Sequence, residues 1–451
     1  MVLPKELIYG SVIAALVAAV GVIGSDRKQL AGIKNLFTGS DSLSQFQRLY
    51  LPGFLLAMLA DWLQGPFVYA LYQGYGIDRE HNGYLFVGGF GASAIFGTIV
   101  GSLADKFGRR KFAILYCLIY FGHCATKHWS FFKVLMIGRI LGGISTSLLF
   151  SVFDSWLVSE SQREGFSGEQ LGNTFSLAYF GSSVAAIAAG QFGELAANVA
   201  PLTKIHGGMY YGGYIAPFDL ANVVLVLCMI YVSNKWSENY GAGGGGGGGG
   251  FGKAMTAIIE DKKILLCGLM CSAFESSMFI FVFNWTPCLM EPDQPVPPFG
   301  HIFTGFMIFC LLGTRVYAYL AKTMPVEQIG LIIMLASAAC HLTVYLFTNV
   351  QIRFVAFLVF EACVGLYFPC MGTLKGDIVP EDMRSTIYNL YRLPLNVIVL
   401  MPLLMNFSIS TTFAVTTSIL GVAVASAFTL KSMPKKSGDL EMQALSHDSD
   451  A

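Results

Sequence analysis

Charge is scarce in this chain of 451 residues: only 12% of its residues are Asp, Glu, Lys or Arg, whereas a soluble domain carries about 25%. Hydrophobic residues make up 54% of the chain, and its mean hydropathy is +0.60. This composition excludes a water-soluble protein and indicates one that crosses the lipid bilayer several times. The 28 basic and 28 acidic residues balance, so the sequence has no basic footprint for nucleic acid.

Motifs for catalysis and for metal binding are also missing. The sequence contains no P-loop, nucleophile elbow, zinc triad or paired Cys and His. Cys267 and Cys271 are one helical turn apart, but no His follows at a metal-ligand spacing. Most of the ten cysteines lie in apolar runs, where they are expected to pack as small hydrophobic residues. The sequence therefore predicts neither an enzyme nor a metal or cofactor site, and the missing nucleotide-binding loop argues against a primary pump.

Long apolar runs are abundant. Thirteen stretches have the length of about 20 residues that a helix needs to cross a bilayer; they are 6–24, 48–72, 84–104, 111–128, 131–157, 172–198, 212–233, 263–287, 300–321, 328–348, 353–373, 384–405 and 411–431. Between the seventh and eighth stretches, residues 240–253 contain eight consecutive glycines, which predict a flexible, solvated linker. The linker divides the last twelve stretches into two halves of six.

The predicted organisation follows from these stretches. It comprises an N-terminal extra transmembrane helix with a cytoplasmic loop (1–47), an N-terminal six-helix bundle (48–233), a Gly-rich cytoplasmic linker (234–262), a C-terminal six-helix bundle (263–431) and a disordered cytoplasmic tail (432–451). Lys5 precedes the first stretch, as in a cleavable signal peptide. Because Arg27, Lys28 and Lys34 follow that stretch, an uncleaved anchor is the preferred interpretation.

The basic residues in the connections predict the orientation. Nineteen Lys and Arg residues lie on the side that contains "DKFGRRK", and six lie on the other side. Since basic residues are enriched on the cytoplasmic side, the N-terminus is predicted outside and the C-terminus in the cytoplasm.

Five charged residues lie near mid-membrane within the predicted spans. Two six-span halves suggest a transporter built from repeats, with its site at mid-membrane between them. Aligning the first span of each half places Asp61 opposite Glu275, and aligning the fourth spans places Arg139 opposite Glu361. Arg392 is the fifth charge. These residues either neutralise one another to hold helices together or line a water-filled path. The sequence favours the second interpretation.

Arg392 has polar neighbours that suit an anion. Tyr388, Asn389 and Tyr391 offer hydrogen-bonding groups, and Asn389 is on the same helical face at a spacing of three residues. Pro394 removes a backbone donor and frees an upstream carbonyl. The planar guanidinium group gives charge-assisted, bidentate hydrogen bonds to an oxyanion. The segment therefore predicts an oxyanion site near mid-membrane.

The segment "GSLADKFGRRK", residues 101–111, resembles the signature loop of the major facilitator superfamily. The resemblance implies an all-α membrane protein with the major facilitator fold, which here has two six-helix bundles plus one extra N-terminal transmembrane helix. It also implies that this loop stabilises one access state during transport. The residues that would form the gating motif are Gly101, Asp105, Gly108, Arg109 and Arg110.

Further contacts of this loop are expected. Gly101 and Gly108 are predicted to permit tight turning and close approach of helices. Asp154, near the cytoplasmic end of the family's fourth helix, is expected to pair with Arg109 or Arg110 as a cytoplasmic gate. Ordinary capping of the helix end is the alternative for Asp154.

A closer resemblance is to the molybdate-anion transporter family. It extends over about residues 45–430 and is carried by "ADWLQGPFVYALYQ" (60–73), "GRILGGISTSLLFSVFDSW" (138–156), "FESSMFIFVFNWTP" (274–287), "ACVGLYFPCMG" (362–372) and "YRLPLN" (391–396). It implies import of molybdate, a tetrahedral oxyanion, across the plasma membrane. The residues expected to bind substrate are Asp61, Arg139, Tyr388, Asn389 and Arg392.

Three acids and two arginines would repel a dianion if all five were exposed and charged. Either the acids pair with arginines, or at least one of Asp61, Glu275 and Glu361 carries a proton during transport. The second possibility gives the hypothesis of proton-coupled symport. Two alternatives stay open: a transporter of another small solute, such as a sugar or an organic ion, and a membrane sensor that does not transport.

Overall fold

The structure is a computed structural model that describes residues 4–25, 27–241, 250–290, 294–380 and 383–433. The central part of the predicted Gly-rich linker, residues 242–249, lies outside the described residues, as does nearly all of the predicted tail (434–451).

Helices form almost all of the described chain, as predicted for an all-α membrane protein. They are α1 (Lys5–Ser25), α2 (Arg27–Thr38), α3 (Ser42–Gln64), α4 (Val68–Gly74), α5 (Arg79–Phe96), α6 (Val100–Phe107), α7 (Arg109–Ala125), α8 (Phe132–Arg163), α9 (Gly168–Ala197), α10 (Ala216–Lys235), α11 (Gly250–Glu260), α12 (Lys262–Leu289), α13 (Phe299–Leu320), α14 (Val326–Leu346), α15 (Val350–Ile378), α16 (Arg384–Leu404) and α17 (Ile409–Ser432). Two short strands, β1 (Thr203–Lys204) and β2 (Tyr210–Tyr211), pair antiparallel in the connection between α9 and α10.

Each of the thirteen predicted stretches coincides with helical structure. Within the described residues, ten helices are long and apolar enough to cross a membrane, or eleven if α5 and α6, which are bent by 51°, form one span. Two of the predicted spans are shorter: the apolar part of α1 is Glu6–Gly21, and α7 has 17 residues and begins with basic side chains. The chain is therefore a multi-pass membrane protein.

The boundaries of several spans have local causes. Asp41 accepts a hydrogen bond from the backbone of Ser44 and caps α3, and Ser167 forms a capping box with Gln170 at the start of α9. Pro394 lies inside α16, as expected, where its ring removes one backbone hydrogen bond from the helix.

The spans pack as two bundles. One bundle contains α3 to α10, in which α5 and α7 pack on α8 and α3 packs on α10, and the other contains α12 to α17, in which α14 packs on α17 and α13 on α15. The bundles meet through α9 with α13 and through α5 with α16. The extra helix α1 packs on α13 of the C-terminal bundle, whereas α2 contacts α3 and α9 of the N-terminal bundle. The N-terminal segment thus contacts both bundles.

The contacts between the bundles are strong at one end of the molecule. We call the end with the predicted signature loop the signature end, and the opposite one the distal end. At the distal end, Arg79 Nη2 donates to Asn284 Oδ1 at 2.7 Å and to the carbonyl oxygen of Phe407 at 3.2 Å. Nearby, the backbone N–H of Gly300 donates to Glu194 Oε2 at 2.8 Å. Hydrogen bonds therefore join the two bundles at the distal end.

Close helix packing in the C-terminal bundle depends on glycine. A Cβ atom on Gly365 of α15 would overlap the carbonyl oxygen of Cys310 on α13, and a Cβ atom on Gly313 would overlap the carbonyl oxygen of Ala362. Because the obstructing atoms belong to backbone, the helices themselves would have to separate.

This packing predicts that Gly365→Ala lowers the melting temperature of the purified protein in detergent, through an overpacking cost of about 1–3 kcal/mol. Gly372→Ala on the same helix is the matched control, because no atom lies within 4 Å of its added Cβ. The control should melt at the same temperature or slightly higher, since Ala favours helix over Gly. Equal melting temperatures of the two variants would contradict the account.

Candidate functional site

Asp61 lies on α3, half-buried in the N-terminal bundle. Its Oδ1 accepts a hydrogen bond of 2.6 Å from the hydroxyl of Tyr120 on α7. The amide of Gln64 donates to the same hydroxyl oxygen at 2.5 Å. Asp61 is therefore held by a neutral donor, because no basic side chain forms an ion pair with it in the described part of the chain.

Glu275, which the repeat alignment places opposite Asp61, has a similar environment. It lies on α12, and its Oε1 accepts a hydrogen bond of 2.9 Å from the hydroxyl of Tyr367. The Tyr367 ring is fully buried and stacks on Phe274 with a centroid distance of 3.9 Å. Each bundle thus has an acid on its first span that binds a tyrosine, although Tyr120 comes from the third span and Tyr367 from the fourth.

Buried histidines support the same alignment. His123, on the third span of the N-terminal bundle, donates through Nδ1 to the carbonyl oxygen of Gly138 at 2.5 Å. His341, on the third span of the C-terminal bundle, has its ring 4.6 Å from the ring of Phe360. The alignment that pairs Arg139 with Glu361 also pairs Gly138 with Phe360. In each bundle a buried histidine of the third span thus contacts the residue before the aligned charge, although the charges differ in sign and the contacts differ in kind.

Arg139 is half-buried on α8 and faces α5. Its Nε donates to the carbonyl oxygen of Leu85 at 3.2 Å, and its guanidinium carbon lies 4.4 Å from the ring centroid of Phe86. Gly89 leaves room for the side chain, because a Cβ atom there would lie 2.8 Å from Nη2. No carboxylate lies within 4.0 Å of Arg139 among the described residues. Its positive charge therefore has no ion-pair partner in the described part of the chain.

Arg392 is exposed on α16, as is Asn389, one turn away. Tyr388 is partly buried, and the ammonium group of Lys375 lies 4.9 Å from its ring centroid. The hydroxyl of Tyr391 instead donates to the carbonyl oxygen of Ile264 at 2.6 Å and attaches α16 to α12. Only Arg392, Asn389 and Tyr388 thus remain in the predicted polar face.

Glu361 on α15 is buried, with 7% of its surface exposed, and has no hydrogen bond or ion pair among the described residues. Together with the environments of Asp61, Glu275, Arg139 and Arg392, this means that none of the five charges forms an ion pair with another in the structure. Mutual neutralisation, the first interpretation of these charges, is not present in this state.

The signature loop has the turn that its sequence predicts. Gly108, between α6 and α7, has φ 111° and ψ 125°, a conformation that favours glycine. A Cβ atom on Gly108 would lie 2.6 Å from the carboxyl carbon of Glu238. The close approach predicted for Gly101 is absent, because no atom lies within 4 Å of the place where its Cβ would be.

The predicted pairing of Asp154 with Arg109 or Arg110 is not present. Arg109 Nη2 lies 2.7 Å from Asp105 Oδ1, and the backbone N–H of Arg110 donates to Glu238 Oε1 at 2.8 Å. Asp154 accepts a hydrogen bond of 2.9 Å from Tyr179 on α9. The reason lies in the segment after α10, which sequence reasoning treated as flexible linker. It folds over the signature loop and brings Glu238 to the positions where Asp154 was expected.

This segment, residues 236–241, joins three parts of the N-terminal bundle. The backbone of Asn239 accepts from Arg109 N–H at 3.0 Å, and its side chain donates to the carbonyl oxygen of Trp156 on α8 at 3.1 Å. Gly241 N–H donates to the carbonyl oxygen of Asp105 at 3.0 Å. The signature loop is thus held by α8 and by the chain that follows α10.

Two cations have positions that the sequence did not predict. Arg79 and Lys127 are among the six basic residues that were counted in the outer connections. Arg79 joins the bundles at the distal end, and Lys127 is fully buried. The connection that contains Lys127 is only six residues long, from the end of α7 to the start of α8. That shortness was the available signal, because a short hairpin between two spans keeps its residues close to the bundle.

Comparisons with known proteins agree with this architecture. A family model described as sugar transporters with 12 transmembrane helices matches residues 8–366. The molybdate-anion transporter of Xenopus laevis is 34% identical over 370 residues, which cover 80% of this chain and 79% of the relative. The molybdate-anion transporter of Takifugu rubripes is 31% identical over 428 residues, which cover 88% of this chain and 86% of the relative.

Solved structures show the same fold at low sequence identity. A nucleoside transporter superposes with a TM-score of 0.66 at 11% identity, over 86% of this chain and 100% of that chain. The inward-open xylose transporter of E. coli superposes with a TM-score of 0.63 at 13% identity, over 89% of this chain and 99% of that chain. The fold and the signature loop define a transporter of the major facilitator superfamily, not an enzyme. Within that superfamily, the chain belongs to the family of its molybdate-anion transporter relatives.

The distal contact of Arg79 predicts a change in accessibility when it is removed. Cys288 is 1% exposed on α12, one turn beyond Asn284. In Arg79→Ala, loss of the hydrogen bonds to Asn284 and Phe407 should open the distal end and raise the labelling rate of Cys288 by a hydrophilic maleimide. We expect about a fivefold increase or more, since a buried hydrogen bond is worth about 1–3 kcal/mol when one partner is left unpaired.

Labelling would be followed by mass spectrometry of the peptide that contains Cys288. Glu80→Ala is the matched control, because the Glu80 side chain is exposed and binds Tyr84 of its own helix at 2.7 Å. Equal labelling rates in Arg79→Ala and Glu80→Ala would show that Arg79 does not close the distal end.

Proposed function

We propose that this protein imports molybdate across the plasma membrane by secondary active transport, with alternating access to one site between its two bundles. The observation that carries the proposal is the similarity to proteins named molybdate-anion transporters at 31–34% identity over most of the chain. The site chemistry supports it, because the interior of the bundle holds an arginine, Arg139, with which no described carboxylate forms an ion pair. A tetrahedral dianion would supply the missing negative charge.

Both arginines lie on helices that pack on α5, near the seam where α5 meets α16. Arg139 binds α5 through the carbonyl oxygen of Leu85, and Arg392 lies on α16, which packs on α5. A Cβ atom on Gly83 would lie 3.0 Å from the carbonyl oxygen of Leu403, which fixes the register of α5 against α16. Arg392 is about 16 Å nearer to the signature end than Leu403, at about 1.5 Å per residue. We therefore propose that Arg139 holds the anion first and that Arg392, with Asn389 and Tyr388, receives it on the way inward.

Proton coupling is the second part of the proposal. Asp61 and Glu275 each accept a tyrosine hydroxyl, so their negative charge is stabilised only by a neutral donor. Glu361 is buried without any polar partner in the described chain, and an unpaired carboxylate in apolar surroundings is costly. Carrying a proton on Glu361, Glu275 or Asp61 would remove the repulsion between these acids and the dianion.

The third part of the proposal is the orientation of the protein in the membrane. The excess of Lys and Arg on the side of the signature loop supports a cytoplasmic position of that end, with the N-terminus outside and the C-terminus inside. The distal end then faces outward, and its closure by Arg79 makes the structure a state that is shut to the outside.

A sugar or another ring-shaped solute is the second candidate substrate. The matching family model is described as sugar transporters, and aromatic side chains line part of the seam. Trp62 and Phe303, from different bundles, lie with ring centroids 5.9 Å apart, and Trp62 Nε1 donates to Ser182 at 3.2 Å. A screen of sugars against oxyanions in one uptake assay separates the two candidates.

Uptake of radiolabelled molybdate by cells that lack their own transporter tests the site. Arg139→Ala and Arg392→Ala should each lower uptake about tenfold or more, since a hydrogen bond to a charged group is worth about 1.5–3 kcal/mol. Ile140→Ala and Leu393→Ala are the matched controls on the same helices, because both side chains are exposed and apolar. Surface expression would be measured for every variant.

Two outcomes would count against the account. If the intact protein moves no molybdate, the substrate is wrong. If both arginine variants transport like their controls, these charges have a structural role.

A separate measurement tests coupling. In liposomes that contain the purified protein, an inward proton gradient should raise the initial rate of molybdate uptake severalfold, because protonation of a buried acid removes charge repulsion. Glu361→Gln, which mimics the protonated acid, should remove most of this stimulation. Identical rates with and without the gradient would exclude proton symport.

A further inference from the structure

Lys127 is a fully buried cation, and no ion pair or hydrogen bond of its ammonium group among the described residues explains its burial. It lies in the short turn Thr126–His128 between α7 and α8 and is 0% exposed. Its Nζ has no hydrogen-bond partner, and no carboxylate lies within 4.0 Å of it among the described residues. A buried ammonium group without an acceptor is strongly unfavourable, so a missing partner has to be sought.

The backbone around Lys127 directs the side chain inward. The hydroxyl of Tyr75 donates to the carbonyl oxygen of Lys127, and His128 Nε2 lies 2.9 Å from Asp219 Oδ1. These contacts fix the turn on both sides of the Lys127 side chain. They also engage Asp219 with His128.

Other polar atoms without partners surround the ammonium group. Lys127 Nζ lies 5.2 Å from the ring centroid of Tyr72 and 6.0 Å from that of Phe218. The Tyr72 hydroxyl and His123 Nε2 are buried without a hydrogen bond, and the His123 ring lies 6.5 Å from the Phe218 ring. Two of these atoms without hydrogen-bond partners, Lys127 Nζ and His123 Nε2, thus belong to side chains beside Phe218, and the third belongs to Tyr72, whose ring faces Lys127. Such a cluster is typical of a site whose ligand is a small polar species.

Arg139 borders the same region. A Cβ atom on Gly138, the preceding residue, would lie 3.2 Å from Lys127 Nζ. The Arg139 guanidinium also lies near the Tyr72 hydroxyl and near the Lys127 side chain. Two cations near one buried tyrosine, without an acid between them, favour an anion as the ligand.

We propose that Lys127 is a second cationic ligand of the transported oxyanion, which binds between its ammonium group, the Tyr72 hydroxyl and the Arg139 guanidinium. This inference rests on the proposed function and adds to it a residue that the sequence placed in an outer loop. The ligand class is a tetrahedral oxyanion, which can accept hydrogen bonds from all three groups at once.

The contacts of Phe86 give a route by which the anion would reach the proposed site. Phe86, whose ring lies under Arg139, packs edge-on against Phe283 of the C-terminal bundle at 4.9 Å. Phe283 lies on α12, the helix that Arg79 holds through Asn284. When the bundles separate at the distal end, Phe283 therefore moves away from Phe86. This movement exposes the side of the proposed anion site that faces the C-terminal bundle.

Binding of sodium molybdate to the purified protein, measured by calorimetry together with the melting temperature without anion, tests the proposal. Lys127→Met keeps the length of the side chain but removes its charge. We expect at least tenfold weaker binding, with a melting temperature that is unchanged or higher because an unpaired buried charge has been removed. Lys127→Arg should retain part of the affinity. Lys133→Met, at an exposed lysine on the first turn of α8, is the control and should bind normally.

The outcomes are distinguishable. If the intact protein binds molybdate and Lys127→Met binds it equally well, the proposed function stands and this inference fails. If the intact protein binds sulfate or phosphate but not molybdate, and Lys127→Met loses that binding, the pocket stands and the proposed substrate fails. If Lys127→Met does not fold, Tyr72→Phe replaces it as the test. It removes one hydroxyl without a partner and should weaken binding severalfold, and unchanged affinity would overturn the proposal.

Discussion

A charge inside a membrane bundle needs a partner, and the structure depends on how this chain meets that requirement. Two of its three acids bind neutral donors, Asp61 through one tyrosine and Glu275 through another, whereas Glu361 has no hydrogen bond and Arg139 contacts a backbone carbonyl and an aromatic ring in the described chain. Among the described residues, no carboxylate therefore pairs with the positive charge of Arg139 inside the bundle. In a family of anion transporters, that unmet requirement is a physical basis for binding the substrate, because the anion supplies the charge that the fold omits.

Helix α5 connects the parts of this arrangement. Its first residue, Arg79, joins the bundles at the distal end, and Gly89, further along, admits the Arg139 side chain. After a bend of 51°, α6 leads into the signature loop, which is held by the segment 236–241 of its own bundle. A movement of α5 would thus change the distal contact of Arg79, the surroundings of Arg139 and the position of the signature loop together. This is the coupling that alternating access requires.

Much of the fold was readable from the sequence, and the reasons are physical. Apolar length fixes a span wherever it occurs, and the signature loop fixes the order of the helices, so the two bundles were predictable. The partners of individual charged side chains were less predictable. Asp154 binds Tyr179 because the segment after α10 folds back on the loop, and Lys127 is buried because its hairpin is short. Counting basic residues by connection treats all of them as exposed, so it cannot detect a cation that turns inward. The docking of α1 on α13 is likewise a tertiary contact that no local pattern specifies.

The central claim is that uncompensated cations in the N-terminal bundle bind the transported anion. The most direct test is diffraction from crystals grown with molybdate, with data collected at the molybdenum absorption edge, because anomalous scattering locates the metal without reference to the protein. We predict a molybdenum peak beside Arg139, on the side that faces Lys127. Its distance from the guanidinium group should allow the oxygen atoms of the oxyanion to accept hydrogen bonds from Arg139. Anomalous peaks elsewhere in the bundle, with none beside Arg139, would contradict the account.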